Sequence, residues 1–330
     1  MAFAKISQVA HYAPAQVVTN DDLSKIMDTS DEWIRSRTGI QERRISLNEN
    51  TSDLATNVAH QLLEKSGLAP EELDFVLVAT ISPDSSMPSV AARVQGTIGA
   101  VNAFAFDITA ACSGFVFALA TAEKLIKSGV YKKGLVIGSE VLSKTLDWSD
   151  RTTAVLFGDG AGAVVLKAVD NNTEDVTGAS AGQERGIIDS NIYNDGTGAS
   201  VLTGGRRFSD SRSTDIFIHM DGQEVFKFAV KSVPTAIETL LHNNNMNVND
   251  VDKFILHQAN VRIIESVAKR LKADKDKFPV NLNEYGNTSS ASIPILLDEL
   301  NRNGSLKQGE KLILAGFGAG LSWGSILLVW

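Results

Sequence analysis

The chain has 330 residues, 43% hydrophobic and 21% charged, enough for a large core and two lobes of similar size. A net charge of −8 argues against a nucleic acid or an anionic membrane as partner, since phosphate would repel the chain as a whole and an anionic partner must find a local basic patch. The single cysteine excludes an internal disulfide, and residues 1–12 lack the basic start and apolar run of a signal peptide, which points to a reducing cytoplasm.

Near the start, "DTSDEWIRSRTGI" holds Thr29 and Glu32 at capping-box spacing ahead of an amphipathic helix. Residues 52–66 carry Leu54, Val58 and Leu62 at four-residue spacing behind Ser52 as a cap, and Gly67 ends that helix. Apolar runs of strand length follow at 75–79, 104–108, 135–138 and 163–166 with helix-like segments between several of them, which predicts an α/β layered fold. Residues 158–163, "GDGAGA", match a dinucleotide fingerprint, but a strand-like "AVVL" follows where that motif needs a helix. Residues 170–215, rich in Asn, Asp, Gly, Ser and Thr, read as a linker plus an insertion. The last stretch, 312–330, is 19 residues without a charge, the length of a membrane span. Its central glycines make it instead two short buried strands joined by a tight turn.

The second half repeats the first weakly. "FVLVAT" at 75 corresponds to "FILHQA" at 254, "CSGFVFALA" at 112 to "NTSSASIPILLDEL" at 287, and "LVIGSE" at 135 to "LILAGF" at 312, with offsets of 179, 175 and 177 residues. Near-constant offsets are what a duplicated fold gives, although the shared grammar of strand and helix also produces them. The halves are taken as residues 1–172 and 173–330.

Three residues stand out chemically. Cys112 follows the strand-like "FAFDI" and precedes a helical run at 115–126. Its sulfur therefore sits at a helix N-terminus, where amides and dipole lower a thiol pKa from about 8.5. Small neighbours, Ala110, Ala111, Ser113 and Gly114, allow a sharp elbow. The alternative is a buried core cysteine, a common fate of that residue. His257 ends the apolar run "FIL" just before Asn260, a fitting cap for a helix over Val261–Leu271, so it lies at the strand edge where α/β sheets bind ligands. The remaining histidines, His11, His60, His219 and His242, have no such setting. Asn287, after Gly286, reads by composition as a turn or cap residue. An asparagine amide accepts no proton at neutral pH, so a Cys-His-Asn set can be two hydrogen-bond donors facing a thiolate.

With "ACSGF", "HQAN" and "GNTS" in this order, "DTSDEWIRSRTGI" near the start and "GFGAGLSWGS" near the end, the whole chain resembles the β-ketoacyl-[acyl carrier protein] synthase III family of the thiolase superfamily. The resemblance implies a duplicated, five-layered αβαβα thiolase-like fold and a homodimer. It further implies a decarboxylative Claisen condensation of an acyl-coenzyme A primer with malonyl-[acyl carrier protein], with no metal and no cofactor beyond the coenzyme A thioester that serves as substrate. It assigns Cys112, His257 and Asn287 to catalysis and the backbone amides of Cys112 and Ala319 to an oxyanion hole; the family usually has glycine where Ala319 stands. Coenzyme A would meet Thr29, Trp33, Arg37, Arg151, Gly222, Phe226, Asn260 and Phe317, with Trp33 and Arg151 sandwiching the adenine. The acidic carrier protein would dock on Lys227, Arg262, Lys269 and Arg270, a stripe that Glu265 could neutralise. Met87, where many acetyl-preferring relatives carry phenylalanine, would close the acyl pocket across the dimer and tolerate longer or branched primers. Papain-like proteases share the Cys, His, Asn order, but their nucleophile lies near the mature N-terminus in a cysteine-rich motif.

Overall fold

The structure, a computed structural model, describes residues 2–170, 186–204 and 217–330. Strand β1 (Ala2–Tyr12) opens the chain, and a short antiparallel pair, β2 (Val17–Thr19) and β3 (Glu42–Arg44), brackets α1 (Asn20–Leu23) and α2 (Asp31–Thr38). Ser30 caps α2 by accepting from the Trp33 amide at 3.1 Å, so the cap is Ser30 and not Thr29. Helix α3 (Thr51–Ser66) starts one residue before the predicted span; Asn50 is its cap, its amide donating to Asp53 Oδ2 at 2.7 Å, and Ser52 lies inside the first turn. Gly67 closes α3 as expected, in the left-handed conformation.

Next come β4 (Phe75–Ala79), α4 (Val90–Ile98), β5 (Phe104–Ile108), α5 (Gly114–Lys127), β6 (Lys133–Glu140) and β7 (Gly160–Asp170). The second half supplies β8 (Gly186–Asn194), β9 (Leu202–Thr203), β10 (His219–Met220), α6 (Gly222–Asn243), β11 (Lys253–Leu256), α7 (Val261–Leu271), α8 (Leu282–Tyr285), α9 (Ser292–Arg302), β12 (Lys311–Gly318) and β13 (Ser322–Val329). Two main sheets result, ordered β1-β7-β6-β4-β5 and β11-β12-β13-β8. They match strand for strand. Parallel β4/β6 corresponds to parallel β11/β12, antiparallel β6/β7 to β12/β13, and antiparallel β7/β1 to β13/β8. The second sheet has no counterpart of β5 among the described residues.

Alternation along the strands builds five layers. Val76 and Val78 of β4 face α3 and α4, whereas Phe75, Leu77 and Ala79 face a middle layer made of α5 and α9. From the other side Ile255, Leu312, Leu314, Ile326 and Leu328 reach the same middle layer, and Phe254, Leu256, Ile313, Ala315 and Leu327 turn outward to α6 and α7. Both sheets are therefore buried on two faces, which is why β4 and β12 read as nearly continuous apolar runs. Each large side chain so buried contributes about 1.5–3 kcal/mol.

One expectation changes here. The stretch at 170–215 is not all linker, because β8 lies in it and forms the edge of the second sheet against β13. Its polar outer half hid the strand from an apolar-run reading. The boundary placed at 172/173 lies outside the described residues. The uncharged 312–330 stretch is the hairpin-like pair β12/β13, and no helix of the described residues is long and apolar enough to cross a membrane. A strand follows "GDGAGA", so the dinucleotide motif has no helix to open.

Candidate active site

Residues Ala111–Ser113 form one turn of 3-10 helix between β5 and α5, and Ala111 is held at φ +47°. The second half repeats this elbow as Ser289–Ala291 before α9, with Ser289 at φ +50°. Lys133 and Lys311, which open β6 and β12, are 178 residues apart, and so are Ala111 and Ser289. The counterpart of Cys112 is thus Ser290; Asn287, matched with Cys112 by sequence, lies three residues earlier. Each elbow rests on a glycine of the opposite half. A Cβ on Gly138 would lie 2.4 Å from the Ser290 carbonyl oxygen, and one on Gly316 would lie 3.1 Å from the Ser113 Cα.

The two elbows differ at the strand ends that face them. Gly318 ends β12, and a Cβ there would sit 2.7 Å from the Cys112 amide nitrogen. The equivalent residue ending β6 is Glu140, fully buried. Its carboxylate accepts from Thr80 Oγ1, the Ile81 amide, the Ser82 amide and Oγ, and Ser290 Oγ at 2.6 to 3.2 Å. Beside Ser290 a buried carboxylate takes up the strand end, whereas beside the Cys112 amide the bare backbone of Gly318 packs too closely to admit any side chain.

Cys112 is 7% exposed. Burial pushes its thiol up to about 12, with the charge of Glu140 adding to the rise, while a hydrogen bond from Ser289 acts in the opposite direction. This corrects the expectation of a lowered pKa: the helix terminus is present, but desolvation of the charged form outweighs it and the resting group is a thiol.

His257 follows β11 directly, and its amide extends the ladder to the Ala315 carbonyl at 2.8 Å. Burial pushes the imidazole down to about 3, so it is neutral at physiological pH. Nδ1 lies 2.7 Å from Ser292 Oγ, and the ring stands edge-on to Phe317 with centroids 5.1 Å apart. Asn287 is clamped through its backbone, donating to the Leu156 carbonyl at 2.8 Å and accepting from the Gly158 amide at 3.0 Å. Its Oδ1 accepts from the Ser289 amide at 2.8 Å, which leaves the side-chain NH2 as the free end. The three residues are linked through their neighbours: Phe317 against His257 leads into Gly318 against the Cys112 amide, and Asn287 holds the Ser289 amide at the start of the second elbow.

A cavity of about 400 Å³ opens on Cys112, lined by Ile81, Thr145, Phe157, Leu202, Ile218 and Ala319 among others. Ser322 Oγ bonds both Ser113 Oγ (2.8 Å) and the Ala319 carbonyl (2.7 Å), pinning the 319–322 turn to the elbow. Ala319 is not among the residues with positive φ, which Gly320 takes at +133°, so the backbone at 319 accepts an alanine. His257, Asn287 and Met87 do not line this cavity, and Met87 is 81% exposed in its own chain.

On the outer surface Trp33 carries two guanidinium groups over its ring, Arg37 at 4.9 Å and Arg151 at 5.4 Å. Arg151 Nη1 also bonds the Asp28 carbonyl at 2.7 Å, and the neighbouring Thr29 hydroxyl is buried without a partner among the described residues. Asn260 caps α7, as expected, and its Nδ2 donates to the Arg37 carbonyl at 3.1 Å. Arg262 Nη2 donates to the Ser36 carbonyl at 2.9 Å, so the start of α7 is tied to the end of α2. Gly222 and Phe226 occupy the first turns of α6. Lys227 is paired with Glu224 at 2.7 Å, and Arg270 reaches the Val230 carbonyl at 3.4 Å. Glu265 pairs with Lys275 at 3.1 Å and not with Arg262 or Lys269, so it leaves the basic stripe intact. Sequence reading missed Gly318, Glu140, Ser289 and Ser292; an alignment of the halves at a constant offset of 178 brings the first three to light.

Family models for 3-oxoacyl-[acyl-carrier-protein] synthase III match residues 106–185, and for its C-terminal part residues 241–330. The chain is 65% identical to a β-ketoacyl-[acyl-carrier-protein] synthase III of Streptococcus thermophilus, covering 99% of each. Among solved structures, the 3-oxoacyl-[acyl-carrier-protein] synthase III of Aquifex aeolicus VF5 is 43% identical with a TM-score of 0.91, covering 99% of this chain and all of that one. The priming β-ketosynthase of the R1128 polyketide pathway is 33% identical, also with a TM-score of 0.91, covering 99% and 96%. The chain belongs to the β-ketoacyl-[acyl-carrier-protein] synthase III family, with its thiolase-like fold, and is an acyl-condensing transferase of fatty-acid synthesis.

Proposed function

We propose that the chain condenses an acyl-coenzyme A primer, acetyl or a short or branched acyl group, with malonyl-[acyl carrier protein], initiating type II fatty-acid synthesis. The observation that carries this reading is a single buried thiol at a strained elbow that opens on a cavity, with Gly318 packed against its amide and the adjoining Phe317 in contact with the neutral imidazole of His257. In the first step Cys112 attacks the primer thioester, and its proton leaves on the coenzyme A thiol. The amides of Cys112 and Ala319 receive the carbonyl oxygen as it gains charge; one such donor is worth about 3–4 kcal/mol. In the second step malonyl thioester loses carbon dioxide and its enolate attacks the acyl carbonyl, which expels the Cys112 sulfur.

The enolate oxygen is held by donors from His257 and Asn287. Ser292 Oγ accepts from the Gln258 amide at 3.3 Å, which turns its own proton toward His257 Nδ1 and leaves Nε2–H as the donor. Thr29, Trp33, Arg37 and Arg151 hold the nucleotide of coenzyme A, and Gly222, Phe226, Asn260 and Phe317 line the pantetheine path. Lys227, Arg262, Lys269 and Arg270 receive the acidic carrier protein. The enzyme works as a homodimer in the cytoplasm, with Met87 of one protomer closing the other's acyl pocket, and it needs no metal or further cofactor.

Incubation with radiolabelled acetyl-coenzyme A tests the reading. Label should appear on Cys112 and be discharged by malonyl-[acyl carrier protein] far faster than by malonyl-coenzyme A. An unlabelled protein rejects the reading, and preferential discharge by malonyl-coenzyme A rejects the carrier-protein substrate.

A further inference from the structure

The two central strand pairs, matched by the duplication, differ in the residues that face each other where they join. In the first half Glu140, ending β6, is paired with Gly160, opening β7; in the second half Gly318, ending β12, is paired with Ser322, opening β13. The polar side chain thus stands on opposite strands in the two halves. Glu140 meets the second elbow at Ser290 Oγ, and Ser322 meets the first elbow at Ser113 Oγ, both at 2.8 Å. The connections differ too: residues 141–159 join the first pair, and only residues 319–321 join the second. Ser322 is buried, and its hydroxyl also lies 3.2 Å from the Ala110 carbonyl and 2.7 Å from the Ala319 carbonyl. One buried hydroxyl therefore reaches the backbone before Cys112, the side chain after it and residue 319 of the other half. Cys112 and Ala319 line the same cavity.

We propose that Ser322 is a positioning residue that clamps the nucleophile's elbow to the 319–321 turn, so that the amides of Cys112 and Ala319 are held ready for one carbonyl oxygen. Donors stabilise an oxyanion most when they are fixed before the charge develops, and these two belong to different halves of the chain. A tether cannot come from residue 318, because a Cβ there would sit 2.7 Å from the Cys112 amide nitrogen. It comes instead from the residue paired with Gly318 across the ladder. Ser113 has one proton to share between the Ala110 carbonyl at 2.7 Å and Ser322 Oγ, and Ser322 gives its own to the Ala319 carbonyl. With Gly318 held in the ladder on one side and the Ala319 carbonyl on the other, the Ala319 amide between them is fixed. This inference rests on the acyl transfer at Cys112 proposed above.

Two reactions of the single cysteine separate a positioned oxyanion hole from a merely intact fold. Alkylation by iodoacetamide displaces iodide at a saturated carbon and builds no oxyanion, whereas acetyl transfer from acetyl-coenzyme A or p-nitrophenyl acetate passes through one. Both are followed by mass at the peptide that carries Cys112, in the full chain, Ser322→Ala and Ser322→Thr, with melting curves to check folding. Ser322→Ala should acylate about tenfold more slowly from either donor, less than the loss of a whole oxyanion donor. Its alkylation rate and its KM for acetyl-coenzyme A should stay unaltered, since the clamp acts only in the transition state. Ser322→Thr, which keeps the hydroxyl, should acylate like the unaltered chain. Acylation of folded Ser322→Ala at the unaltered rate overturns the proposal. So does equal slowing of alkylation, which would mean a displaced sulfur, and so does a Ser322→Thr as slow as Ser322→Ala. Should Ser322→Ala fail to fold, Ser113→Ala, which removes the other hydroxyl of the clamp, decides by the same split between acylation and alkylation. Acetyl taken from p-nitrophenyl acetate but not from acetyl-coenzyme A would reject coenzyme A as the donor, while the comparison of variants still decides the clamp.

Discussion

Gly318 and Glu140 occupy the same place in the two halves of the chain, each ending a central strand against the elbow of the other half. Where glycine stands, its bare backbone packs directly against the Cys112 amide; where glutamate stands, a carboxylate ties down Ser290. The two elbows, alike in backbone, therefore differ in what the facing strand end presents to them.

Gly318→Ala places a methyl group 2.7 Å from the Cys112 amide nitrogen, closer than real contacts allow. Acyl-enzyme formation should fall by about 100-fold or more, the loss of roughly one oxyanion donor, with the fold retained by circular dichroism. Acylation at the unaltered rate would remove the Cys112 amide from the oxyanion hole.

His257 makes stability depend on acid. Its folded pKa of about 3 lies below the ordinary 6.5, so the unfolded chain binds a proton that the folded chain refuses. The contribution is complete above pH 6.5 and is lost as pH falls toward 3, at up to about 1.4 kcal/mol per unit. Urea unfolding at pH 7 and pH 5 should therefore show the unaltered chain losing about 2 kcal/mol more than His257→Gln over that interval. Equal losses would mean that the imidazole is protonated in the folded protein. For the same reason the acylation rate should show no inflection near pH 6.5.

Arg151 lies 5.4 Å from the Trp33 ring centre, whereas a purine stacked between them needs about 7 Å, two contact distances. An adenine held there, as we propose, requires Arg151 to swing away from Trp33 and from the Asp28 carbonyl it now holds. Arg151→Ala should raise the KM for acetyl-coenzyme A about tenfold, the loss of about 1.4 kcal/mol, and leave iodoacetamide alkylation of Cys112 unchanged. An unaltered KM would take Arg151 out of the nucleotide site.

Charge reversal at Arg262 or Lys269 should weaken turnover with malonyl-[acyl carrier protein] far more than primer transfer from coenzyme A, and more so at low salt. Arg262 also braces α2 through the Ser36 carbonyl, so Lys269→Glu is the cleaner variant. Equal losses in the two half-reactions would refute a docking role for this face.

The sequence alone determined a good deal. Apolar runs at 75–79 and 312–318 read as buried strands because both faces of each sheet are covered, and Asn260 read as a helix cap because cap chemistry is local. The strand-turn-helix setting singled out Cys112, with a buried core residue as the alternative reading, and the duplication showed in offsets near 178. The tertiary structure decided what depends on neighbours distant in sequence. It raised the thiol pKa against the helix terminus, since desolvation is a property of the whole surrounding core. It gave Cys112 the counterpart Ser290 in place of Asn287 and revealed β8 as an edge strand whose half-polar pattern carries no apolar run. Local propensity travels along the chain, whereas burial, charge and the close approach of one backbone to another's amide are set only when the two halves, as at Gly318 and Cys112 or Gly138 and Ser290, pack against one another.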